Sequence, residues 1–103
     1  MRFAPVQFAT TEELIGSFWN KETGEGISVR CSPGEYALGE EIILQVSVTG
    51  APITHTVRGT VVWKREKPDA QGRMPAGIGV RFHPGDQDRV QKLLAEAARH
   101  RRG

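Results

Sequence analysis

The chain contains 103 residues, of which 38% are hydrophobic and 25% are charged, and its formal net charge is +2. This length predicts a single domain over residues 1–103, and the composition argues against a disordered protein, a membrane-embedded protein and a two-lobed enzyme. Residues 1–98 hold 11 of the 14 basic residues and all 12 acidic ones, so the excess positive charge lies in the C-terminal tail. The sequence has one cysteine, Cys31, and no apolar core of a signal peptide near its start, so a cytoplasmic location is expected.

The first 26 residues predict a strand, a short helix and a polar loop. Residues 3–9 form the predicted strand. Thr10 and Glu13 have the spacing of a capping box, which predicts a helix over residues 11–19. The loop over residues 20–26 contains two glycines, which permit positive backbone φ angles.

Four further segments predict strands, because apolar and polar residues alternate along them. They are residues 27–31, 40–49, 54–65 and 76–83. Within the third of these segments, Val57, Val61 and Trp63 are expected to share the buried face. Gly59 on the same face indicates a β-bulge or a close approach between strands.

A C-terminal helix completes the predicted elements. Pro84-Gly85 ends the last strand, and Asp86 is expected to cap a helix over about residues 86–101. The apolar residues of this helix form one stripe: Val90, Leu93, Leu94, Ala97 and Ala98. Five or six antiparallel strands in so short a chain predict a closed barrel over about residues 3–83, with the helix packed on it.

No group of residues indicates catalysis or metal binding. His55, His83 and His100 stand apart from one another and from any nucleophile, and the sequence has no metal-ligand spacing. Cys31 is interpreted as a small buried residue. We therefore predict a protein that is not an enzyme and that needs no cofactor and no metal. The arginines of residues 99–102 are interpreted as a solvated helix end, with phosphate contact as the alternative.

Trp19 has two interpretations. It follows the predicted short helix and stands beside polar residues. One interpretation is a buried position in the core. The other is contact with a partner protein, because tryptophan is enriched among the residues that dominate binding energy at interfaces.

Four strings resemble the PilZ domain family. Gly59-Thr-Val-Val-Trp63 resembles the family's G-x-V-V-W strand, and Ala76-Gly-Ile-Gly-Val-Arg-Phe82 resembles its G-I-G-V-x-F strand. Tyr36-Ala-Leu-Gly-Glu40 and Asp69-Ala-Gln-Gly-Arg73 are similar to the type IV pilus PilZ subfamily. The resemblance covers roughly residues 14–98. It implies a mainly β fold: a small antiparallel six-stranded PilZ-type barrel, with a short N-terminal helix and a C-terminal helix packed on it.

PilZ domains that bind the bacterial messenger cyclic di-GMP use an RxxxR motif and an Asp/Asn-x-Ser-x-x-Gly loop. This chain lacks RxxxR, since Arg2 is the only arginine before Arg30. Its version of the loop is degenerate: Lys21 replaces the acid or amide, Thr23 replaces the serine, and only Gly26 fits. A lysine accepts no hydrogen bond from the guanine N–H groups. We therefore expect no cofactor-binding site and no cyclic di-GMP binding at this loop.

The resemblance implies a cytoplasmic adaptor in type IV pilus, surface motility or cell polarity control, with recruitment to a cell pole. Its partners are expected to be proteins of the pilus or motility machinery, without nucleic acid binding and without membrane insertion. The predicted partner-binding residues are Phe18, Trp19, Lys21, Arg30 and Arg81. The alternative is a cyclic di-GMP receptor with a non-standard site, for which charge is available from Arg30, Lys64, Arg65 and Arg81. A third interpretation is a weak nucleic-acid-binding barrel that uses residues 99–102.

Overall fold

A computed structural model describes residues 1–20, 24–72 and 75–100, and these residues form five β-strands and two α-helices. The strands are β1 (Arg2–Phe8), β2 (Gly26–Arg30), β3 (Glu41–Val48), β4 (Thr54–Arg65) and β5 (Gly77–Phe82). The helices are α1 (Thr11–Ser17) and α2 (Gln87–Arg99). Short 3₁₀ turns at Pro33–Glu35 and Pro84–Asp86 precede β3 and α2. The predicted elements are confirmed, with ends that differ by two residues or fewer.

The five strands form one sheet in the order β1-β3-β4-β5-β2. Three of its pairs are antiparallel, as predicted, but β1 runs parallel to β3, from Arg2 beside Ile42 to Phe8 beside Val48. The prediction of a wholly antiparallel sheet is therefore wrong. The reason is that α1 and β2 lie between β1 and β3 in the chain and supply the crossover that a parallel pair requires.

The described residues build a curled half-barrel of five strands in place of the expected closed barrel of six. The two edge strands of this sheet are β1 and β2. Helix α1 packs against both of them and buries Leu14 completely. A helix, not a sixth strand, therefore covers the space between the two edges.

The concave face of the half-barrel forms the hydrophobic core. Alternate residues of β3 and β5 are buried there as predicted: Ile42, Leu44, Val46, Val48, Ile78, Val80 and Phe82. Helix α2 adds part of its predicted stripe, namely Val90, Leu93 and Ala97, while Leu94 is half-buried and Ala98 is exposed. Each large apolar side chain buried in this way contributes about 1.5–3 kcal/mol. The opposite, convex face of the sheet lies outside the core.

The two helices begin in different ways. Thr10 caps α1 as predicted, because its Oγ1 accepts the backbone N–H of Glu13 at 3.0 Å. Asp86 precedes α2 but makes no capping bond. Its carboxylate instead accepts the backbone N–H of Arg58 on β4 and a guanidinium N–H of the same residue, both at 2.8 Å. The predicted capping role of Asp86 is therefore wrong, and this residue ties the start of α2 to the sheet.

Candidate functional site

A β-bulge in β4 determines which face of the sheet carries Trp63. Val57 and Val61 face the core and are buried. The register against β5 then shifts, because Val61 pairs with Val80 whereas Trp63 pairs with Gly79. The extra residue in β4 reverses the alternation of faces. The prediction that Trp63 shares the buried face is therefore wrong, and its indole lies on the outer face of the sheet.

Gly59 marks a close approach between strands and not the bulge. A Cβ on Gly59 would overlap the Val80 side chain and would lie 2.9 Å from the carbonyl oxygen of Arg81. The irregularity in β4 falls after Val61 instead. Of the two interpretations of Gly59, close packing is the one that the structure supports.

Two outward-facing glycines make room for two tryptophans. A Cβ on Gly79 would overlap the Trp63 indole, and a Cβ on Gly26 would overlap the Trp19 ring. The two rings stack with centroids 6.3 Å apart and an angle of 25° between their planes. The Trp19 Nε1–H also donates to Ser28 Oγ at 3.1 Å. The pair of half-buried indoles therefore covers the outer face of β2 and β5.

Three arginines surround the tryptophan pair. The guanidinium of Arg65 lies over Trp63, 5.0 Å from the ring centroid. Arg30 and Arg81 project from the outer faces of β2 and β5 and are exposed. The Arg81 side chain is 61% exposed and approaches Glu25 only to 3.7 Å. We name this surface the tryptophan face, and it consists of Trp19, Ser28, Arg30, Trp63, Arg65 and Arg81.

The predicted partner-binding residues do not all lie on this surface. Trp19, Arg30 and Arg81 do. Phe18 is only 4% exposed and packs on Phe82, with ring centroids 5.8 Å apart, so its burial contradicts the predicted surface contact. Because α1 ends at Ser17, Phe18 leaves the helix and forms an antiparallel bridge with Ile27. Lys21 lies outside the described residues.

Of the degenerate ligand loop, only Gly26 belongs to the described part of the chain, since Lys21 and Thr23 lie outside it. Gly26 begins β2, supports the Trp19 ring, and accepts the Trp19 backbone N–H through its carbonyl oxygen at 3.0 Å. Its lack of a side chain therefore serves the packing of an indole. The described geometry gives it no other role.

Sequence reasoning did not place Trp63 on the candidate surface, and it named Arg65 only as a source of charge. The signal that points to both is the spacing of Gly77 and Gly79 in β5. Ile78 between them is buried, so both glycines face outward. Two consecutive outward positions without side chains leave space for large residues on the neighbouring strand.

Other reactive side chains of the described residues have structural surroundings. No three His, Cys, Asp or Glu residues within the described ranges come close enough to hold a metal ion. Burial raises the pKa of the Cys31 thiol, and nearby Glu35 acts in the same direction, so this thiol is not activated. His55 Nε2 lies 2.8 Å from Glu96 Oε2 and joins β4 to α2.

The outer face of the half-barrel thus presents stacked indoles with arginines beside them. The sequence profile of the PilZ domain matches residues 22–99. The chain therefore belongs to the PilZ domain family, as its four strings indicate. PilZ domains are binding or adaptor domains, linked to cyclic di-GMP, and are not catalytic domains. A search of curated proteins found no match to the chain. Within the described ranges, neither helix is long and apolar enough to cross a membrane.

Proposed function

We propose that this PilZ domain is a protein-binding adaptor whose tryptophan face contacts the partner. The observation that carries the proposal is the stacked pair of Trp19 and Trp63, with arginines on either side, on the outer face of the sheet. Tryptophan and arginine are enriched among the residues that dominate binding energy. An indole also has only two side-chain torsions to fix, so it adds contact area at a small cost in entropy.

The second part of the proposal is that the chain does not bind cyclic di-GMP as other members of the family do. Arg2, the only arginine before β2, already pairs with Glu40 at 2.9 Å and lies over the Tyr36 ring at 4.6 Å. A micromolar site is worth about 8 kcal/mol. Each lost contact to a charged group removes about 2 kcal/mol or more of this free energy. Losing both motif arginines and the acid or amide would therefore leave little affinity.

The finer proposal concerns the cellular process. The strings Tyr36–Glu40 and Asp69–Arg73 support an adaptor of type IV pilus, surface motility or cell polarity control, with a cytoplasmic location and recruitment to a pole. In the pilus subfamily, PilZ proteins contact the pilus assembly ATPase, which makes that ATPase the first partner to test. We also propose that residues 1–103 form a single domain.

The proposal is tested by measuring the affinity of the purified chain for the pilus assembly ATPase of the same organism by biolayer interferometry. Trp19→Ala should weaken binding at least about tenfold, because truncating a central tryptophan costs about 2 kcal/mol or more. Arg81→Gln should weaken it by a smaller factor. The matched control is Phe3→Ala, which removes a 56% exposed aromatic side chain of β1 outside the tryptophan face and should leave binding unchanged.

Thermal unfolding of each variant separates a lost contact from a lost fold. Unchanged affinity of folded Trp19→Ala and folded Arg81→Gln proteins would contradict the proposed surface. Saturable binding of cyclic di-GMP would favour the alternative function, a receptor with a non-standard site. The charges for such a site are present at Arg30, Lys64, Arg65 and Arg81.

A further inference from the structure

A groove lies between α1 and the tryptophan face and shares Ser28, Arg30, Trp63 and Arg65 with that face. It has a volume of about 350 Å³, and its lining includes Gly16, Ser17, Ser28, Arg30, Trp63 and Arg65. One wall is therefore the C-terminal half of α1, and the opposite wall is the outer face of β2 and β4. The wall from α1 presents the small residues Gly16 and Ser17, and the wall from β2 and β4 carries the Trp63 indole, so the groove has room for a few side chains of a partner.

The two arginines of the groove differ from three other arginines of the domain, which are held in ion pairs. Within the described residues, Arg30 and Arg65 have no carboxylate within 4.0 Å, whereas Arg2, Arg58 and Arg81 each have one. Arg30 is exposed and Arg65 is half-buried over an indole. A guanidinium carries five N–H donors in a planar fork that fits a carboxylate. Most of these donors are therefore available to a ligand.

The charge of the groove indicates an anionic ligand. Its charged lining residues are Arg30, Arg65 and Glu13, two positive and one negative. Glu13 belongs to α1 and makes no ion pair with either arginine among the described residues. The positive charge is thus concentrated on the wall formed by β2 and β4, beside the Trp63 ring.

We propose that this groove binds an acidic segment of a partner protein. Carboxylates of the segment pair with Arg30 and Arg65, and an apolar side chain of the segment packs against the part of Trp63 that lines the groove. The proposal rests on the proposed adaptor function and names the chemistry of its partner. Complementary charge also accelerates association and disfavours basic partners, so it provides selectivity as well as affinity.

A protein segment fits the groove better than a nucleic acid does. Single-stranded nucleic acids bind by stacking bases on open aromatic faces. The Trp63 ring is already packed on Gly79 and covered by Arg65. Glu13 in the lining can accept an N–H donor from a peptide backbone, a donor that the sugar-phosphate backbone lacks.

The test uses the ¹⁵N-labelled chain of residues 1–103 and two acetylated peptides, Asp-Glu-Leu-Asp-Glu-Leu and its counterpart with lysine at the acidic positions. The acidic peptide should shift the amide signals of Ser28, Arg30 and Gly77 saturably, with a Kd below about 1 mM. The lysine peptide should bind at least about tenfold more weakly. The affinity of the acidic peptide should fall as salt is raised, because exposed charges are screened.

Variants identify the groove as the site. The double variant Arg30→Gln, Arg65→Gln should lower the affinity for the acidic peptide at least about tenfold. The matched control is Arg89→Gln, which removes an exposed arginine of α2 that does not line the groove and should change nothing. Equal binding of both peptides, no shift at several millimolar acidic peptide, or full affinity of the folded double variant would each overturn the proposal.

Two further measurements separate the acidic segment from other ligands, and separate failure of this proposal from failure of the proposed adaptor function. An octauridylate or cyclic di-GMP that shifts the same amides more tightly than the acidic peptide would replace the proposal with a nucleotide site. Loss of ATPase binding in Trp19→Ala with full binding in the arginine double variant would preserve the adaptor function and overturn the acidic segment. If the chain binds the acidic peptide but neither the chain nor its variants bind the ATPase, the groove would remain a site for acidic segments and the ATPase adaptor function would be overturned.

Discussion

Arg58 and Arg65 lie on the same strand, β4, but their guanidinium groups have different surroundings. Arg58 donates both its backbone N–H and its guanidinium to the buried carboxylate of Asp86 at 2.8 Å. Arg65 lies over Trp63 and has no carboxylate within 4.0 Å among the described residues. The first arginine holds α2 on the sheet, whereas no carboxylate of the described residues occupies the donors of the second. An arginine on a sheet is therefore best interpreted from the groups around it.

The largest expected effect comes from removing the carboxylate that Arg58 binds. Asp86 is 5% exposed. Asp86→Ala should lower the free energy of unfolding by about 3 kcal/mol, because it removes charged hydrogen bonds and leaves the Arg58 backbone N–H without its acceptor. Urea unfolding followed by circular dichroism measures this loss. A loss below about 1 kcal/mol would show that the contact does not hold α2 on the sheet.

The next largest loss of stability is expected where Trp63, near the C-terminal end of β4, packs on Gly79 of β5. Gly79→Ala should lower the free energy of unfolding by about 2 kcal/mol, because the new Cβ overlaps the Trp63 indole and displaces it. Thermal unfolding and tryptophan fluorescence report the loss and the displacement. The control is Gly16→Ala in α1, where a Cβ meets nothing within 4 Å and should stabilise the helix by about 0.5–1 kcal/mol. If both variants were stabilised, Trp63 would not pack on Gly79.

The free energy of unfolding should depend on pH through the contact of Arg58 with Asp86, and not through the contacts of Trp63 and Arg65. The hydrogen bonds from Arg58 lower the pKa of Asp86 from 3.8 to about 2. The resulting stabilisation is present above the unfolded-state pKa and is lost as the pH falls from about 4 to 2. It should amount to about 1.5 kcal/mol, since Arg58 is partly solvated and screened.

Asp86→Asn should flatten the stability profile between these pH values. Hydrogen bonds from His55 and Arg2 also lower the pKa of Glu96 and of Glu40, with the same sign, so the comparison is made in a Glu40→Gln, Glu96→Gln background. A stability profile that is already flat below pH 4 with Asp86 intact in that background would contradict the assignment to Asp86. The contacts of the tryptophan face should contribute no stabilisation that is lost in acid, because they contain no buried carboxylate among the described residues.

The smallest effects are expected in the groove. Arg65→Gln should change the free energy of unfolding by about 0.5 kcal/mol or less, as should Arg30→Gln, because neither substitution breaks an ion pair. The same change at Arg58 should cost about 1–2 kcal/mol. Thermal unfolding of the three variants side by side measures the difference. Equal costs at Arg58 and Arg65 would remove the distinction between a structural and an available arginine.

Much of the fold could be predicted from the sequence, because local patterns determine it. The alternation in β3 and β5, the Thr10 cap and the α2 stripe each depend on neighbouring residues in the chain. The parallel pairing of β1 and the contact between Asp86 and Arg58 could not be predicted in this way. Both join residues that are distant in sequence, and nothing local distinguishes them from the expected alternatives.

The candidate site was predictable only in part. Trp19, Arg30 and Arg81 follow from residue type and strand alternation, and their role in binding remains a proposal. Trp63 was assigned to the wrong face, because a bulge leaves no mark in a pattern of apolar residues. Phe18 is predicted to contact a partner, but α1 ends at Ser17 and the Phe18 ring packs in the core.

The central claim is that this PilZ domain binds a protein and not the nucleotide. Calorimetric titration with cyclic di-GMP to about 100 μM tests it most directly, since a site of micromolar affinity would saturate in that range. We expect no binding heat from a protein that circular dichroism shows to be folded. Saturable binding at one or two sites would contradict the account and identify the domain as a cyclic di-GMP receptor.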